Sequence, residues 1–131
     1  MKTFDVPTHS REEIQDITTL IREAISNSDV KEGVCCICVP HTTAGLTINE
    51  NADPDVKSDI LMTLEDMVRN SLPFRHGEGN SPAHVKASLM GSALTVPIHN
   101  GKLVLGTWQG ICFCEFDGPR NRRLHIQIIN G

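Results

Sequence analysis

Apolar residues recur at helical spacing in three stretches of the chain. In the first stretch, Ile14, Ile17 and Ile21 follow one another at steps of three and four with polar residues between them, which predicts an amphipathic helix. Ser10 and Glu13 have the spacing of a capping box, in which each residue satisfies a free backbone N–H group of the other. We therefore expect this helix to begin at about residue 10 and to end near residue 28.

Two further helices begin at proline. The pair Asp53-Pro54 places a capping side chain before a proline suited to the first helical turn, and the apolar positions that follow predict a helix ending before Pro73. The pair Ser81-Pro82 repeats this signal and predicts a short helix that continues through Met90.

The remaining apolar segments have strand character. The predicted strands are residues 1–8, 33–40 (GVCCICVP), 46–48 (LTI), 92–98 (SALTVPI), 102–116 (KLVLGTWQGICFCEF, interrupted by Gly106 and Gly110) and 124–129 (LHIQII). Helices are concentrated in the first two thirds of the chain, and strands dominate its end. This order predicts the α+β class rather than an alternating α/β or an all-β fold.

Length, composition and charge exclude several classes of protein. A chain of 131 residues corresponds to one domain, residues 1–131, and 39% hydrophobic with 21% charged residues argues against disorder. The net charge of -4 argues against a protein that coats nucleic acid. No apolar run approaches the ~18 residues of a membrane span, and the start lacks the apolar centre of a signal peptide. We expect a cytoplasmic protein whose five cysteines are reduced thiols.

The six histidines are more than packing requires, and two of them flank the segment HGEGNSPAH. His76 lies on a loop that the following glycines make flexible, and His84 lies in the first turn of the third predicted helix. Imidazoles that converge from a loop and a helix can bind zinc or a similar ion, and the free N–H groups of a helix start favour an anion. The alternative is a polar surface loop with one capping histidine, since this spacing matches no standard zinc motif.

Two other polar segments follow predicted strands. The segment His41-Thr42-Thr43 offers an imidazole and two hydroxyls where a ligand can approach the backbone, or it is simply a turn. In the segment Asn49-Glu50-Asn51, Glu50 is a candidate general base or a partner that orients a metal-bound histidine. Asp53 is most simply the helix cap.

The last candidates are an aromatic residue, a basic turn and the cysteines. Trp108 stands between two glycines, where it can stack on a flat ligand, pack across an interface or belong to the core. Arg120, Arg122 and Arg123 form a basic turn that clamps a phosphate, is solvated, or forms a charge pair between subunits. The cysteines contain no CxxC motif, and we interpret Cys35, Cys36, Cys38, Cys112 and Cys114 as buried, free, small hydrophobic residues.

Three blocks of this chain together resemble the signature blocks of the YjbQ-like, or UPF0047, family. They are HTTAGLTINENADPDVKSDI, RHGEGNSPAHVKASLMGSALTVPI and GKLVLGTWQGICFCEFDGPRNRR, and with them the resemblance covers nearly the whole chain. It implies a compact α+β domain with a mainly antiparallel sheet, two longer helices and one short helix, assembled as a homotrimer. Pro82 stands where this family often has Asp, and Phe74 lies near a frequent Tyr position.

The resemblance also implies a set of site residues. The implied metal ligands are His41, His76 and His84, holding a divalent ion, zinc in the first place and magnesium as the alternative. The implied catalytic residues are Glu50 and Lys86. The residues implied to bind substrate are Thr42, Thr43, Asn51, Glu78, Asn80, Trp108 and Gln109.

The function that the resemblance implies is that of a secondary thiamine-phosphate synthase, which joins a pyrimidine pyrophosphate to a thiazole phosphate with the help of a divalent ion. A non-catalytic trimer that binds a metabolite or an anion is the alternative, and a trimeric scaffold whose polar loops only stabilise the interface is a third. The expected partners are the other two copies of the chain in the homotrimer and a small phosphorylated or pyrophosphorylated ligand, and neither nucleic acid nor membrane. The sequence contains no nucleophile elbow, P-loop or dinucleotide fingerprint, which argues against hydrolases, kinases and dehydrogenases.

Overall fold

Eight strands form two antiparallel sheets, and three helices pack against them. The computed structural model describes all of residues 1–131. The strands are β1 (Lys2–Pro7), β2 (Glu13–Asp16), β3 (Gly33–Cys38), β4 (Ala44–Glu50), β5 (Ala93–His99), β6 (Lys102–Leu103), β7 (Gln109–Glu115) and β8 (Asn121–Asn130). The helices are α1 (Thr18–Ser28), α2 (Pro54–Met67) and α3 (Ser81–Met90). The predicted α+β class and the predicted set of three helices are therefore confirmed.

The two sheets differ in size and share one core. The larger sheet has the strand order β1-β8-β3-β5-β6, and the smaller has the order β2-β7-β4. Strand alternation turns Cys35 and Ile37 of the larger sheet and Ile111 and Phe113 of the smaller one into the same apolar cluster. Helix α1 closes this cluster with side chains such as Ile21, which is fully buried. The main core thus lies between the sheets and α1.

A second, smaller apolar cluster fixes α3 in place. Leu64 of α2 and Ala83 and Ala87 of α3 pack against Cys114 and Phe116 at the end of β7. The small alanine side chains let the helix approach the sheet closely, and the opposite side of α3 remains free to carry polar residues.

A glycine in β4 allows the C-terminal end of α3 to dock. The N–H group of Leu46 donates to the carbonyl of Gly91 at 2.9 Å, directly after the helix. A Cβ atom on Gly45 would lie 2.8 Å from the same carbonyl oxygen, which is closer than such atoms approach in proteins. Gly45 is therefore the position at which a larger side chain would push α3, and the residues on it, away from the sheet.

The predicted start of the first helix is wrong. Residues 13–16 form strand β2, which pairs with β7, and α1 begins only at Thr18. Ile14 and Ile17 fit a helical period, but the backbone hydrogen bonds that this segment forms with the edge of β7 stabilise a strand instead. Glu13 accepts hydrogen bonds from the N–H groups of His9 and Ser10, so the capping-box residues interact within a turn rather than at a helix start.

The predicted strands near the end of the chain also need correction. Residues 102–116 are not one strand, because β6 and β7 belong to different sheets and residues 104–108 connect them. The last strand begins at Asn121, three residues earlier than predicted, so Arg122 lies within β8 and is buried rather than exposed in a basic turn.

The cysteines are all free, as predicted, but they differ in exposure. Cys35, Cys112 and Cys114 are buried, Cys36 is half-buried and Cys38 is exposed, so the prediction of uniform burial is wrong for the last two. Burial raises the pKa of Cys35 to about 11 and that of Cys114 to about 12, which keeps both thiols protonated. None of the three helices has the length and apolar character needed to cross a membrane.

Candidate functional site

A cavity of about 650 Å³ lies where the loop after β3, the loop before α3 and the turn between β7 and β8 meet. Its wall is almost entirely polar. The lining residues are Val39, Pro40, His41, Thr42, Thr43, His76, Glu78, Asn80, His84, Ser92, Asp117, Arg120 and Arg122. The structure thus brings together the three histidines that the resemblance implies, along with several of the implied substrate-binding residues.

His76 and His84 meet on one side of the cavity. Their ring centroids are 5.3 Å apart, and the planes of the rings are perpendicular, with an angle of 89°. His84 lies in the first turn of α3, and its side chain lines the cavity. His76 reaches it from the preceding loop, and its Nε2 atom lies 3.9 Å from Oε1 of the exposed Glu78, which is too long for a hydrogen bond.

Asn80 contributes an unpaired acceptor to the same side. Its Nδ2 atom donates to Oδ2 of Asp117 at 2.9 Å, and Arg120 Nη2 donates to that same oxygen at 3.1 Å. The Oδ1 atom of Asn80 is buried and has no hydrogen-bond partner. A buried amide oxygen without a partner is costly in an isolated chain, so this atom calls for a donor or a cation from a ligand.

His41 has a defined tautomer. Its Nε2 atom accepts a hydrogen bond of 2.9 Å from the backbone N–H of Arg123, and a backbone N–H can only donate. In the neutral ring the proton is therefore on Nδ1. Burial lowers the pKa of His41, and the neighbouring positive charges, chiefly that of Arg122, lower it further, which favours this neutral form.

A buried ion pair lies beneath the cavity. Arg122 donates from Nε to Oε1 of Glu115 at 2.9 Å and from Nη2 to Oε2 of the same carboxylate. Its Nη2 atom also donates to the hydroxyl of Thr43 at 2.8 Å. Glu115 is completely buried and further accepts hydrogen bonds from the Thr8 hydroxyl at 2.7 Å and from the Asp117 N–H at 3.1 Å. This network holds the arginine in one position.

The cavity therefore has two chemically different sides. We call the side formed by His76, His84 and the Oδ1 atom of Asn80 the acceptor side, because it offers lone pairs. We call the side formed by His41 and Arg122 the donor side, because it offers N–H groups. No group of three or more His, Cys, Asp or Glu side chains is close enough to hold a metal ion unaided.

Lys86 lies outside the cavity. It is on the face of α3 opposite to His84, only 1% exposed, and its Nζ atom donates to Oε1 of Glu12 at 3.0 Å and to Glu65. The ammonium group therefore ties α3 to the loop before β2 and to helix α2. This ion pair holds the helix in place and gives the lysine no contact with a ligand in the cavity.

Four other candidate residues lie at the opposite end of the smaller sheet. The register pairs Ala44 with Glu115 next to the cavity and Glu50 with Gln109 at the far end, ~20 Å away along the strand. There Asn51 donates to Asp16 at 2.8 Å and accepts from Lys57 at 3.0 Å. The site candidates placed at this end are Glu50, Asn51, Trp108 and Gln109.

The local roles at this far end are visible in the contacts. Gln109 Oε1 accepts from the N–H of Gly106 at 2.7 Å and closes the turn before β7. Trp108 is 63% exposed and is not part of the core. Asp53 accepts from the N–H of Asp55 at 2.9 Å and caps α2, as predicted.

The sequence analysis missed two acidic residues that organise the cavity. Asp117 joins Asn80 to Arg120, and Glu115 orients Arg122. A signal for Glu115 was present, since it is the one charged residue within the apolar run ICFCEF. A charge inside a buried strand requires a partner of opposite sign, and the nearby arginines were the candidates.

Comparisons with known proteins bear on the family and the fold of the chain. A family model described as "UPF0047 protein YjbQ-like" matches residues 2–131. The UPF0047 protein MJ1081 of Methanocaldococcus jannaschii is 55% identical over 126 residues, covering 96% of this chain and 91% of its own. The UPF0047 protein YugU of Bacillus subtilis is 47% identical over 131 residues, covering 98% of each chain. An uncharacterized conserved YjbQ/UPF0047 protein of Clostridium acetobutylicum has a crystal structure that superposes with a TM-score of 0.96 at 50% identity, covering 98% of this chain and 100% of that one.

Proposed function

The chain belongs to the UPF0047 family of YjbQ-like proteins, and from that premise we propose that its cavity is the site of a metal-assisted enzyme. The substrate is a small phosphorylated or pyrophosphorylated metabolite, and the reaction is of the thiamine-phosphate synthase type that the sequence resemblance implies. The observation that carries the proposal is the pair of rings of His76 and His84 at the cavity, with their centroids 5.3 Å apart.

The ligand atoms that the acceptor side offers suit a cation. Two imidazoles bound to one tetrahedral zinc ion, with Zn–N bonds of ~2.1 Å, have ring centroids ~5 Å apart. The ring nitrogens of His84 make no hydrogen bond within the chain and are free to bind an ion. The side chain of Ser88 donates to the backbone carbonyl of His84 at 2.9 Å and does not involve the ring. The unpaired Oδ1 atom of Asn80 supplies an oxygen, and the flexible carboxylate of Glu78 is near.

His41 has a different role in this proposal. Since its Nε2 accepts from Arg123 and its Nδ1 carries the proton, the neutral ring has no free lone pair for a metal. We therefore assign His76 and His84 as the imidazole ligands and His41 as a hydrogen-bond donor to the substrate. A divalent ion, zinc or magnesium, supplies Lewis acidity that helps a pyrophosphate leave.

The chemistry needs little from the protein beyond binding and orientation. The new bond joins the ring nitrogen of the thiazole to the methylene carbon of the pyrimidine, and the pyrophosphate leaves with the electron pair of the broken C–O bond. No proton is removed in this step, so a general base is not required. The distance of Glu50 and Lys86 from the cavity is compatible with this reaction.

The proposal includes the assembly and the location of the protein. We propose a homotrimer in the cytoplasm, where the five free cysteines remain reduced. The exposure of Trp108, at 63%, and of Val104, at 50%, on the connection between β6 and β7 supports burial of this connection against another copy. Light scattering after size-exclusion chromatography measures the oligomeric state, and a monomer at micromolar concentration contradicts this part.

Metal titration tests the central part of the proposal. Protein purified without a histidine tag and stripped of metal should bind about one Zn²⁺ ion per chain in isothermal titration calorimetry. His76→Ala and His84→Ala should each weaken this binding by about tenfold or more, because each removes one of two imidazole ligands. His99→Ala is the matched control, since His99 is exposed and pairs with Glu32 outside the cavity. Unchanged stoichiometry and affinity in both cavity variants would overturn the metal site.

An activity assay separates this function from the second candidate. The enzyme should form thiamine phosphate from the two phosphorylated precursors only when the divalent ion is present, and His84→Ala should abolish this activity. The second candidate is a protein that binds the metabolite without turnover, and the hydrogen-bond donors of His41 and Arg122, which suit an anion, support it as well. Tight retention of the ligand with no product formed would establish the second candidate and exclude the first.

A further inference from the structure

Arg122 presents one unused edge of its guanidinium group to the cavity. The Nε and Nη2 atoms are engaged by Glu115 and Thr43, and no hydrogen bond within the chain uses Nη1. Arg122 is 4% exposed, and Nη1 is not among the fully buried atoms that lack a partner. Because the residue lines the cavity, the small surface that it keeps lies there. The arginine therefore offers N–H donors that the fold itself does not use.

His41 offers a second donor beside this edge. The hydrogen bond from the N–H of Arg123 occupies Nε2 and leaves the proton on Nδ1, for which the chain supplies no acceptor. His41 lines the same cavity and an adjoining one of about 500 Å³. Arg122 lines the same cavity as His41, and His41 is hydrogen-bonded to the backbone of Arg123, the next residue along β8. Two immobilised donors thus face one space from different directions.

From these contacts we propose that Arg122 Nη1 and His41 Nδ1–H form the subsite for a phosphoryl group of the ligand. The inference rests on the proposed function, because it names the part of that site which takes the phosphate. It assigns this role to the donor side, and thus to one arginine, where the sequence left Lys86 and the arginines as alternatives. Glu115 and Thr43 are positioning residues that hold the guanidinium in place.

The geometry favours a phosphoryl group over a carboxylate. The Nε–Nη2 edge of Arg122 already binds the carboxylate of Glu115, and Nη2 also donates to Thr43, so neither edge is free to bind a second carboxylate with two nitrogens. One nitrogen of the arginine and one of a histidine remain, and they approach from separate elements. An anion with oxygens in several directions, such as a phosphate, accepts from both at once.

The charged side chains around the subsite balance one another. Arg120 and Arg122 line the cavity together with the carboxylates of Glu78 and Asp117, so the formal charges of these four residues balance. The positive charge of Arg122 is itself paired with the carboxylate of Glu115, which makes the arginine a directional donor more than a source of net charge. Binding then depends on hydrogen bonds to the donor side, and removing one donor has a measurable effect.

The test uses inorganic phosphate and pyrophosphate as probes, with EDTA present so that no divalent metal contributes. Binding to the full-length chain is followed by ³¹P NMR line widths. We expect His41→Gln to weaken binding by about tenfold, because the glutamine amide oxygen can still accept from the Arg123 N–H but the Nδ1–H donor is lost. We expect Arg122→Lys to weaken binding by about 10- to 100-fold, because a lysine ammonium that pairs with Glu115 has no separate nitrogen to replace Nη1.

Arg123→Gln is the matched control. It removes a nearby positive charge on an exposed side chain but keeps the backbone N–H that fixes His41, so binding should change by less than about twofold. Thermal unfolding verifies that each variant is folded. If Arg122→Lys does not fold, the test rests on His41→Gln. Equal binding by His41→Gln and the wild type, or no binding of either probe to the wild type, overturns the subsite. Since the metal titration is a separate experiment, a failed metal site and a failed phosphate subsite give different results.

Discussion

Two buried cations of this protein are each held by glutamate, yet only one of them faces the cavity. Lys86 donates to Glu12 and Glu65, and these bonds, two of them to the same carboxylate, use the whole ammonium group. Arg122 donates to Glu115 and retains an unused nitrogen. Burial and charge are the same in the two cases. The two cations differ in their remaining hydrogen-bond donors. All N–H groups of Lys86 are used within the protein, which makes its role structural, whereas Arg122 keeps N–H groups that can bind a ligand.

The largest expected effect comes from breaking the Arg122 pair. Glu115→Gln keeps an acceptor for the Thr8 hydroxyl but leaves the guanidinium, 4% exposed, without its counter-charge. We expect a loss of about 3 kcal/mol in the free energy of unfolding at pH 7, since an uncompensated buried charge is costly. Chemical denaturation measures it.

The pH dependence of this difference sharpens the prediction. Burial acts to raise the pKa of Glu115, but hydrogen bonds from Arg122, Thr8 and the Asp117 N–H outweigh burial and hold the pKa below its usual 4.5. The stabilisation from a lowered pKa is fully present above 4.5 and is lost as the pH falls through the folded-state value. The gap between the wild type and Glu115→Gln should therefore narrow in acid, and a constant gap would contradict the ionised pair.

A smaller effect is expected at the other cation. Lys86→Met should cost about 2 kcal/mol in unfolding free energy, because the side chains of Glu12 and Glu65 keep 18% and 48% exposure and are partly solvated once unpaired. Glu65→Gln is the control and should cost about 0.5 kcal/mol. Phosphate binding by folded Lys86→Met should equal that of the wild type. Loss of binding without loss of stability would instead assign Lys86 to the ligand.

The fold was largely predictable because its signals are local. Pro54 and Pro82 mark the starts of α2 and α3, although the residue that precedes α3 is Asn80 and not the predicted capping residue Ser81, which is the first residue of the helix. The pairing of Lys86 with Glu12 joins positions 74 residues apart, and no pattern along the chain encodes it. The family blocks include Lys86 but do not tell which face of α3 it occupies, because one residue of shift along a helix turns a side chain by ~100°.

The candidate site was predictable in part for the same reason. His41, His76 and His84 stand in quoted blocks and come together in one cavity. Arg122 was grouped with its exposed neighbours because three arginines within four residues resemble a solvated turn. Its burial follows from the pairing of β8 with β1 on one side and β3 on the other, which only the assembled sheet reveals.

The smallest effect concerns the proton of His41, and it tests the donor side directly. Burial, then the charge of Arg122, lowers the pKa of this ring, so the unfolded chain takes up the proton first as the pH falls. The wild type should lose stability relative to His41→Gln as the pH falls below 6.5. Long-range ¹H–¹⁵N NMR should detect the Nδ1–H tautomer above that pH, and an Nε2–H tautomer would contradict the assignment.

The bond between His41 and Arg123 has a further consequence for the edge of the larger sheet. Pairing of β3 with β8 ends at Cys38 and His125, so the Arg123 N–H lies two residues beyond the last pair of the ladder. The imidazole takes the place that a strand carbonyl would have occupied, and it thereby extends the ladder with a side chain. Exchange of this amide hydrogen with solvent is slow only while the ring accepts from it. The exchange rate of one backbone amide therefore reports which nitrogen of His41 is engaged, with or without a ligand in the cavity.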